Sequence, residues 1–279
     1  MQKTYLKKRT ISYIELAVAL ALVAVVLLPV IWLFSTSLKS KLDSFSLPPK
    51  LFFFKATWAN YASILNHPDF LLGLRNSIVV AVGTVIITSF FSITIGYTLA
   101  RGQFKGKNFL GLWLILARMV PPMGFILPLY IIFRYFHMLD TYTALILTQM
   151  TITLPFGAWL MMGFFRQIPL EVEECGLIDG CSRLQVLTLI SVPLAIPGIV
   201  TSSIFTFIYT WNEFLVALIL TGSKTRTAPI FIQSFLSDSG LEWGMLAAAG
   251  SVVILPIVIF SLFAQKGLIR GLTSGSVKG

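Results

Sequence analysis

Six long apolar runs decide what this chain can fold into. A helix that crosses a bilayer needs about 20 mostly apolar residues, and stretches of that kind lie at 11–34, 77–100, 109–133, 142–165, 187–220 and 243–268. Inside hydrocarbon every backbone N–H and C=O must find a partner within the protein, and a helix satisfies them from its own residues. The expected fold is therefore an all-α membrane protein with six transmembrane helices. Little is left over to cover a soluble surface. Only 11% of residues are charged, against about 25% in soluble domains. Proline occurs inside several runs: Pro121 and Pro122 in the third, Pro155 in the fourth, Pro193 and Pro197 in the over-long fifth. Neighbouring helices can re-satisfy the carbonyls that proline frees, so a packed bundle is expected rather than separate anchors.

The first run follows Lys7, Lys8 and Arg9, as a signal peptide would. It is longer than the roughly 7–15 residues of a signal core and no A-x-A site follows, so an uncleaved helix is expected. Lys and Arg are enriched in cytoplasmic loops. The dense clusters at 7–9 and 101–107 share one side when the N-terminus is inside, which places both termini in the cytoplasm. The expected division is a cytoplasmic tail at 1–10, a transmembrane domain at 11–268 with a cytoplasmic loop at 166–187, and a cytoplasmic tail at 269–279. The segments 39–76 and 222–242 then face outward. The net charge of +10 comes from bases spread between apolar runs. They form no compact patch interleaved with aromatics, so no nucleic-acid partner is expected.

Covalent chemistry finds little foothold. His67 and His137 are far apart and form no HExxH pattern, so no metal site is expected. Cys175 and Cys181 fall in the cytoplasmic loop, where thiols stay reduced. A phosphate-cradling loop reads G-x-x-x-x-G-K-[ST]. The nearest approach, Gly102 to Asn108, is one residue short, ends in Asn and sits in a tight turn between two spans. It reads as a topology determinant. Any ATP must be hydrolysed by another chain.

The loop at 166–187 is the most polar passage of the chain. Pro169 suits a first helical position, where its missing N–H costs nothing. Glu171, Glu173 and Glu174 follow in the first turns, where carboxylates complement the helix dipole. Gly180 marks a left-handed stop, and Ser182 with Gln185 forms a capping box that restarts a helix. Leu170, Val172, Leu177 and Ile178 are free to pack on the bundle or in a partner's groove. Partner docking, a solvated structural elbow and contact with lipid all fit these residues. Three glutamates without a base disfavour lipid, whose interfacial helices are usually basic.

The same residues resemble a known signature. Glu174-Cys-Gly-Leu-Ile-Asp179-Gly180, followed by an apolar run and Pro193-Leu-Ala-Ile-Pro197, is similar to the "EAA" motif of ABC-importer permeases. Cys175 and Gly176 stand where that pattern has two alanines. Both are small, so close packing survives, although Gly176 gives up roughly 1 kcal/mol of helix propensity. The segments "SLPPKLFFFKATWANY", "NSIVVAV", "MLDTYTALIL", "YTWNEFLVALILT" and "RGLTSGSVKG" extend the resemblance over nearly the whole chain. They look like the sugar-importer branch, and most like the six-helix permease of maltose-type systems.

The resemblance implies a type I ABC-importer permease fold with a cytoplasmic coupling helix docked on an ATPase. Glu174, Cys175, Gly176, Asp179, Gly180 and Pro193 would form the coupling region, and Gly271, Ser274 and Lys278 a second ATPase contact. It implies a second, homologous permease, an ATPase dimer that binds ATP and magnesium, and an external solute-binding protein that one outer loop can enter. The implied substrate is a sugar, with a polyol or glycerol phosphate as the alternative.

An ion-coupled carrier or channel is the reading from another class, and a membrane-embedded enzyme a third. Apart from Lys266 at the cytoplasmic end of the last run, ionisable residues within the spans are few, namely Glu15, Arg118 and Glu213, and one half does not repeat in the other. No His/Asp/Glu/Ser constellation gathers outside the acidic elbow. Arg118 costs about 2.5–3.5 kcal/mol to insert, so it faces a wet cavity, snorkels, or pairs with a carboxylate such as Glu213. Trp211-Asn212-Glu213 sets an aromatic face beside an amide and a carboxylate. That suits a hydroxyl-rich ligand in a substrate pathway, or packing between two permeases.

Overall fold

The structure, a computed structural model, describes residues 2–235 and 242–273. In chain order the elements are α1 (Gln2–Ser37), α2 (Lys41–Ser44), α3 (Ala59–Leu65), α4 (Pro68–Arg101), α5 (Lys107–Arg118), α6 (Met123–Tyr135) and α7 (Tyr142–Gln167). There follow α8 (Leu170–Ile178), α9 (Arg183–Gln185), a π-helical stretch (Val186–Ser191), α10 (Val192–Leu194), α11 (Ile196–Asn212), α12 (Leu215–Leu220), α13 (Ala228–Ser234) and α14 (Trp243–Thr273). Among the described residues there is no strand.

Among the described residues four helices are long and apolar enough to cross a bilayer unbroken: 13–37 of α1, α4, α7 and 243–262 of α14. The third and fifth expected spans are bent pairs instead, and the total reaches six only if each pair crosses as one span. Between α5 and α6 the axis turns by 93° at Met119–Pro122, because proline lacks a donor and disfavours the α conformation in the residue before it. The second bend, 75° between 183–194 and α11, falls at Ala195 between Pro193 and Pro197. By contrast, α7 keeps Pro155 inside an unbroken helix. The second span also begins earlier than expected, at Pro68 rather than Ser77.

The chain divides into two compact units, 1–68 with 232–254, and 69–231 with 255–279. In the first, Asn60 Nδ2 donates to the carbonyls of Ser37 and Lys39 at 2.8 and 2.9 Å. Lys39, expected in an open outer loop, is buried, with its ammonium 4.6 Å from the ring centre of Trp32 and 5.4 Å from that of Phe54. Burial lowers its pKa below the usual lysine value, and nearby Asp43 pulls the other way.

The second unit is organised by α4. With 34 residues at 1.5 Å each, this helix is about 51 Å long and outreaches a hydrocarbon core of about 30 Å. Its buried face is a line of mostly small residues four apart: Asn76, Val80, Thr84, Thr88, Ser92 and Gly96. Small residues let membrane helices approach closely. Thr88 shares a hydrogen bond with Thr153 of α7 at 3.2 Å, and Ser89 one with Ser203 of α11 at 3.1 Å. At Gly96 a methyl group would sit 2.6 Å from Met161 Cβ and 2.9 Å from the Met162 backbone N, so nothing larger fits.

At the Pro68 end, α4 holds the stretch before α13. Asn76 Nδ2 donates to the carbonyls of Lys224 and Arg226 at 3.0 and 2.8 Å, while Tyr142 Oη donates to Asn76 Oδ1 at 2.6 Å. The Ala228 N–H donates to Ser77 Oγ at 2.9 Å. Asp140 closes the bracket: its carboxylate accepts the N–H groups of Lys224 and Thr225 and, at 2.7 Å, the Thr225 hydroxyl. Residues 236–241 of the expected outer segment 222–242 lie outside the described residues.

Candidate functional site

The elbow after α7 is built as its residues direct, with one shift. Pro169 is the residue before the helix, not its first turn, and α8 begins at Leu170. Gly180 has φ +88°, the left-handed region that glycine enters without steric cost. The N–H groups of Gly180 and Cys181 return to the carbonyls of Leu177 and Gly176 at 3.1 and 3.0 Å. The capping box forms: the Ser182 N–H donates to Gln185 Oε1 at 2.7 Å, and the Gln185 N–H to Ser182 Oγ at 3.3 Å. The next six residues are π-helical and lead through α10 into the 75° bend.

Which face of α8 looks inward is decided by Glu173 and Gly176, three positions apart and both buried. Gly176 lies against Ile190, so an alanine there, as in the motif, would meet the far end of that side chain. Glu174, Cys175, Asp179 and Gly180 are exposed on the other side, beside Ile178, Leu170 and Val172. An acidic and apolar surface therefore projects from an anchored helix. Both thiols are free.

The anchor is Glu173, which a reading of the helix dipole leaves no different from Glu171 and Glu174. It is 5% exposed, and its carboxylate accepts from Arg101 Nε at 2.9 Å, Tyr97 Oη at 3.2 Å and Ser191 Oγ at 2.8 Å. Arg101 Nη2 also donates to the Ile168 carbonyl at 2.7 Å. The available sequence signal was the spacing of Glu173 from Gly176, which puts both on one helix face. Nearby, Lys107 of the 102–108 turn folds back and donates to the Ala100 carbonyl at 3.2 Å.

The four residues expected along a substrate pathway are not brought together. Arg118 lines a cleft of about 830 Å³ between α5, α6, α7 and α11, with its guanidinium 4.2 Å from the ring centre of Phe156. Among the described residues it forms no ion pair with Glu213. Trp211 is 2% exposed and stacks on Phe207. Asn212 is exposed and donates to the Ile208 carbonyl of its own helix at 2.8 Å. Glu213 sits where α11 ends and caps α12, accepting the N–H groups of Val216 and Ala217 at 2.9 and 3.2 Å. Gln149 Nε2 donates to it as well, at 3.1 Å. The cleft's polar lining is Thr151, Thr153, Thr206 and Tyr209, set among Trp113, Phe125, Phe156 and Phe205. None of these carried a sequence signal, because hydroxyls and aromatics on several helices converge only in the fold.

Toward the chain's end, Gly271 falls in the last turn of α14. Ser274 and Lys278 lie outside the described residues.

Bent helix pairs, a 34-residue helix and a capped polar elbow mark an all-helical protein with apolar spans. The chain belongs to the family of binding-protein-dependent transport system inner membrane components, whose family model matches residues 92–273. It is 38% identical over 256 residues to the trehalose transport system permease protein SugB of Mycobacterium tuberculosis, covering 91% of this chain and 93% of the relative. It is 31% identical over 279 residues to the trehalose/maltose transport system permease protein MalG of Thermococcus litoralis, covering 98% and 100%. A chain in the crystal structure of a bacterial ABC transporter involved in the import of the acidic polysaccharide alginate shares the fold. Its TM-score is 0.80 at 20% identity, over 92% of this chain and 96% of that one.

Proposed function

We propose that this chain is one permease subunit of an ABC importer that takes up a mono- or oligosaccharide delivered by an external binding protein. The observation that carries this reading is the elbow, anchored inside by Glu173 and Gly176 and exposing Glu174, Cys175, Asp179 and Gly180. Such a surface suits helix-in-groove docking on a partner, here a cytoplasmic ATPase. The relatives named for trehalose, maltose and diacetylchitobiose uptake support a sugar as cargo.

In this reading the N- and C-termini are cytoplasmic, and the complex holds a second permease, an ATPase dimer and the binding protein. The chain performs no covalent chemistry and binds no nucleotide. ATP binding closes the ATPase dimer, the docked elbows approach each other, and the cavity turns outward to receive sugar; hydrolysis resets it. Pro193 sits beside the bend that has to accommodate this movement, and Gly271, Ser274 and Lys278 make a second ATPase contact. The cleft at Arg118 is the part of the pathway this chain supplies. Its aromatic faces and hydroxyls match the apolar faces and hydroxyl groups of a sugar ring.

The test is reconstitution of the assembly with its binding protein and a screen of trehalose, maltose, diacetylchitobiose and other sugars and polyols for stimulated ATP hydrolysis. At least one sugar is expected to stimulate. An intact complex that responds to none defeats the substrate class, and a Glu174→Lys variant that assembles and transports normally defeats the docking role.

A further inference from the structure

Glu173 is the one charged side chain of the elbow that points inward, and nothing in the docking of an outer face requires it. Its two oxygens are divided between two groups of partners. One accepts Ser191 Oγ, and the other accepts Arg101 Nε and Tyr97 Oη. Through Arg101 Nη2 the Ile168 carbonyl joins the same cluster. Four segments thus meet at one carboxylate: the end of α4, the exit of α7, α8, and the π-helical stretch. Burying an ion pair is unfavourable unless geometry and further hydrogen bonds compensate. Here the carboxylate has three donors and the guanidinium two acceptors.

The mechanical setting gives the cluster its meaning. With nine residues, α8 is too short to be stable alone in water, so any displacement applied to it leaves through its attachments. Along the chain that route runs through the π-helical stretch and the 75° bend at Ala195. Both are interruptions of regular helix, and π-helical segments often mark functional sites. Sideways the route is Glu173 to Arg101, and so into the unbroken 34-residue α4. Coupling between distant sites is carried by hydrogen-bond networks and rigid elements in contact.

We propose that the Glu173–Arg101 pair is the positioning device that makes α8 move as one body with α4. It sets how much of the elbow's displacement reaches the membrane helices, whereas exposed Glu174 acts only in docking. This rests on the reading that the elbow docks on an ATPase.

The test uses the full assembly in proteoliposomes with its binding protein and radiolabelled trehalose, maltose and diacetylchitobiose, measuring sugar accumulated per ATP hydrolysed. Glu173→Gln keeps the size and removes the charge. The expected result is normal ATPase stoichiometry in the purified complex with a sugar-to-ATP ratio lowered about threefold or more. Glu173→Asp keeps the charge but is one methylene short of spanning Arg101 and Ser191, and should fall between. The paired change Tyr97→Phe with Ser191→Ala removes two donors without stranding a charge, and decides the matter if Glu173→Gln fails to assemble; it too should lower the ratio. A purely structural role would lower assembly or melting temperature and leave the ratio of assembled complexes unchanged, and that result overturns the proposal. Absence of sugar-stimulated hydrolysis in the unaltered assembly defeats the sugar as substrate class instead, and this proposal, which is read from sugar moved per ATP, falls with it.

Discussion

At the Arg101 end of α4 an almost fully buried carboxylate and a guanidinium hold the elbow, with a tyrosine and a serine completing the set. At the Pro68 end Asn76 and Ser77 grip backbone groups of residues 224–228, and the Asp140 carboxylate that completes the bracket meets neutral donors. The two ends of one helix are thus fastened by different chemistry. A neutral bracket loses modest energy when a single bond breaks, since net contributions are about 0.5–1.5 kcal/mol each. A buried ion pair loses far more when one partner goes, because the other charge is stranded. The Arg101 end is therefore suited to all-or-none attachment and the Pro68 end to holding a loop in shape.

The contrast is broken most directly at Arg101. Arg101→Ala leaves Glu173 buried and unpaired and should destabilise the second unit by about 3–5 kcal/mol. The double change Arg101→Ala with Glu173→Ala should cost clearly less than the two single effects summed. Thermal unfolding of the detergent-solubilised assembly measures both, and additivity would mean that the pair does not act as a unit.

Gly96 sharpens the same end from the side. Gly96→Ala pushes a methyl against the Met161 Cβ and Met162 backbone, just before Tyr97 and Arg101, and overpacking of this kind costs about 1–3 kcal/mol. The melting temperature should drop, with the 222–228 loop unaffected by limited proteolysis.

At the other end, Asn76→Ala should cost about 1 kcal/mol for each of its two lost donor bonds. Trypsin cleavage after Lys224 and Arg226 should accelerate while the elbow keeps its protection. A change confined to the elbow would contradict the division between the ends.

The smallest effect is a pH dependence at Asp140. Burial pushes its pKa up, but the Thr225 hydroxyl and the N–H groups of Gly222, Lys224 and Thr225 outweigh this and hold it below the usual carboxylate value. A depressed folded value means that the bracket's stability is fully present above the ordinary carboxylate range. It is lost as pH falls through the folded value. Hydrogen exchange of the Lys224 and Thr225 amides should quicken in that acidic window relative to their intrinsic rates. Asp140→Asn, which tolerates the left-handed backbone at φ +56°, should abolish the dependence.

Much of this was legible beforehand, and for a local reason. Ser182 and Gln185 are close enough along the chain for their capping box to be read from spacing alone, and Gly180 needs no partner to turn left. The buried line from Asn76 to Gly96 was not read from the sequence, and Asn76 lies one residue before the expected second span. The cleft was legible only in part: Arg118, an arginine costly to leave in lipid, does line it, whereas Trp211 stacks on Phe207 and Glu213 caps α12. Their neighbours Phe207 and Val216 are in plain sight in the chain, yet the direction of a side chain beside a helix break is not.

The sequence by itself determined the class of molecule, since about 20-residue apolar runs leave the backbone no partner but itself. It also determined the elbow's caps and the placing of proline at both bends, because those depend on contacts within a few residues. Only the tertiary structure decided which of three neighbouring glutamates turns inward and that Arg101, 72 positions away, is its partner. It alone made α4 a rod held at both ends. Those outcomes are set by how helices distant in sequence pack, where about half a turn of rotation exchanges a buried face for an exposed one.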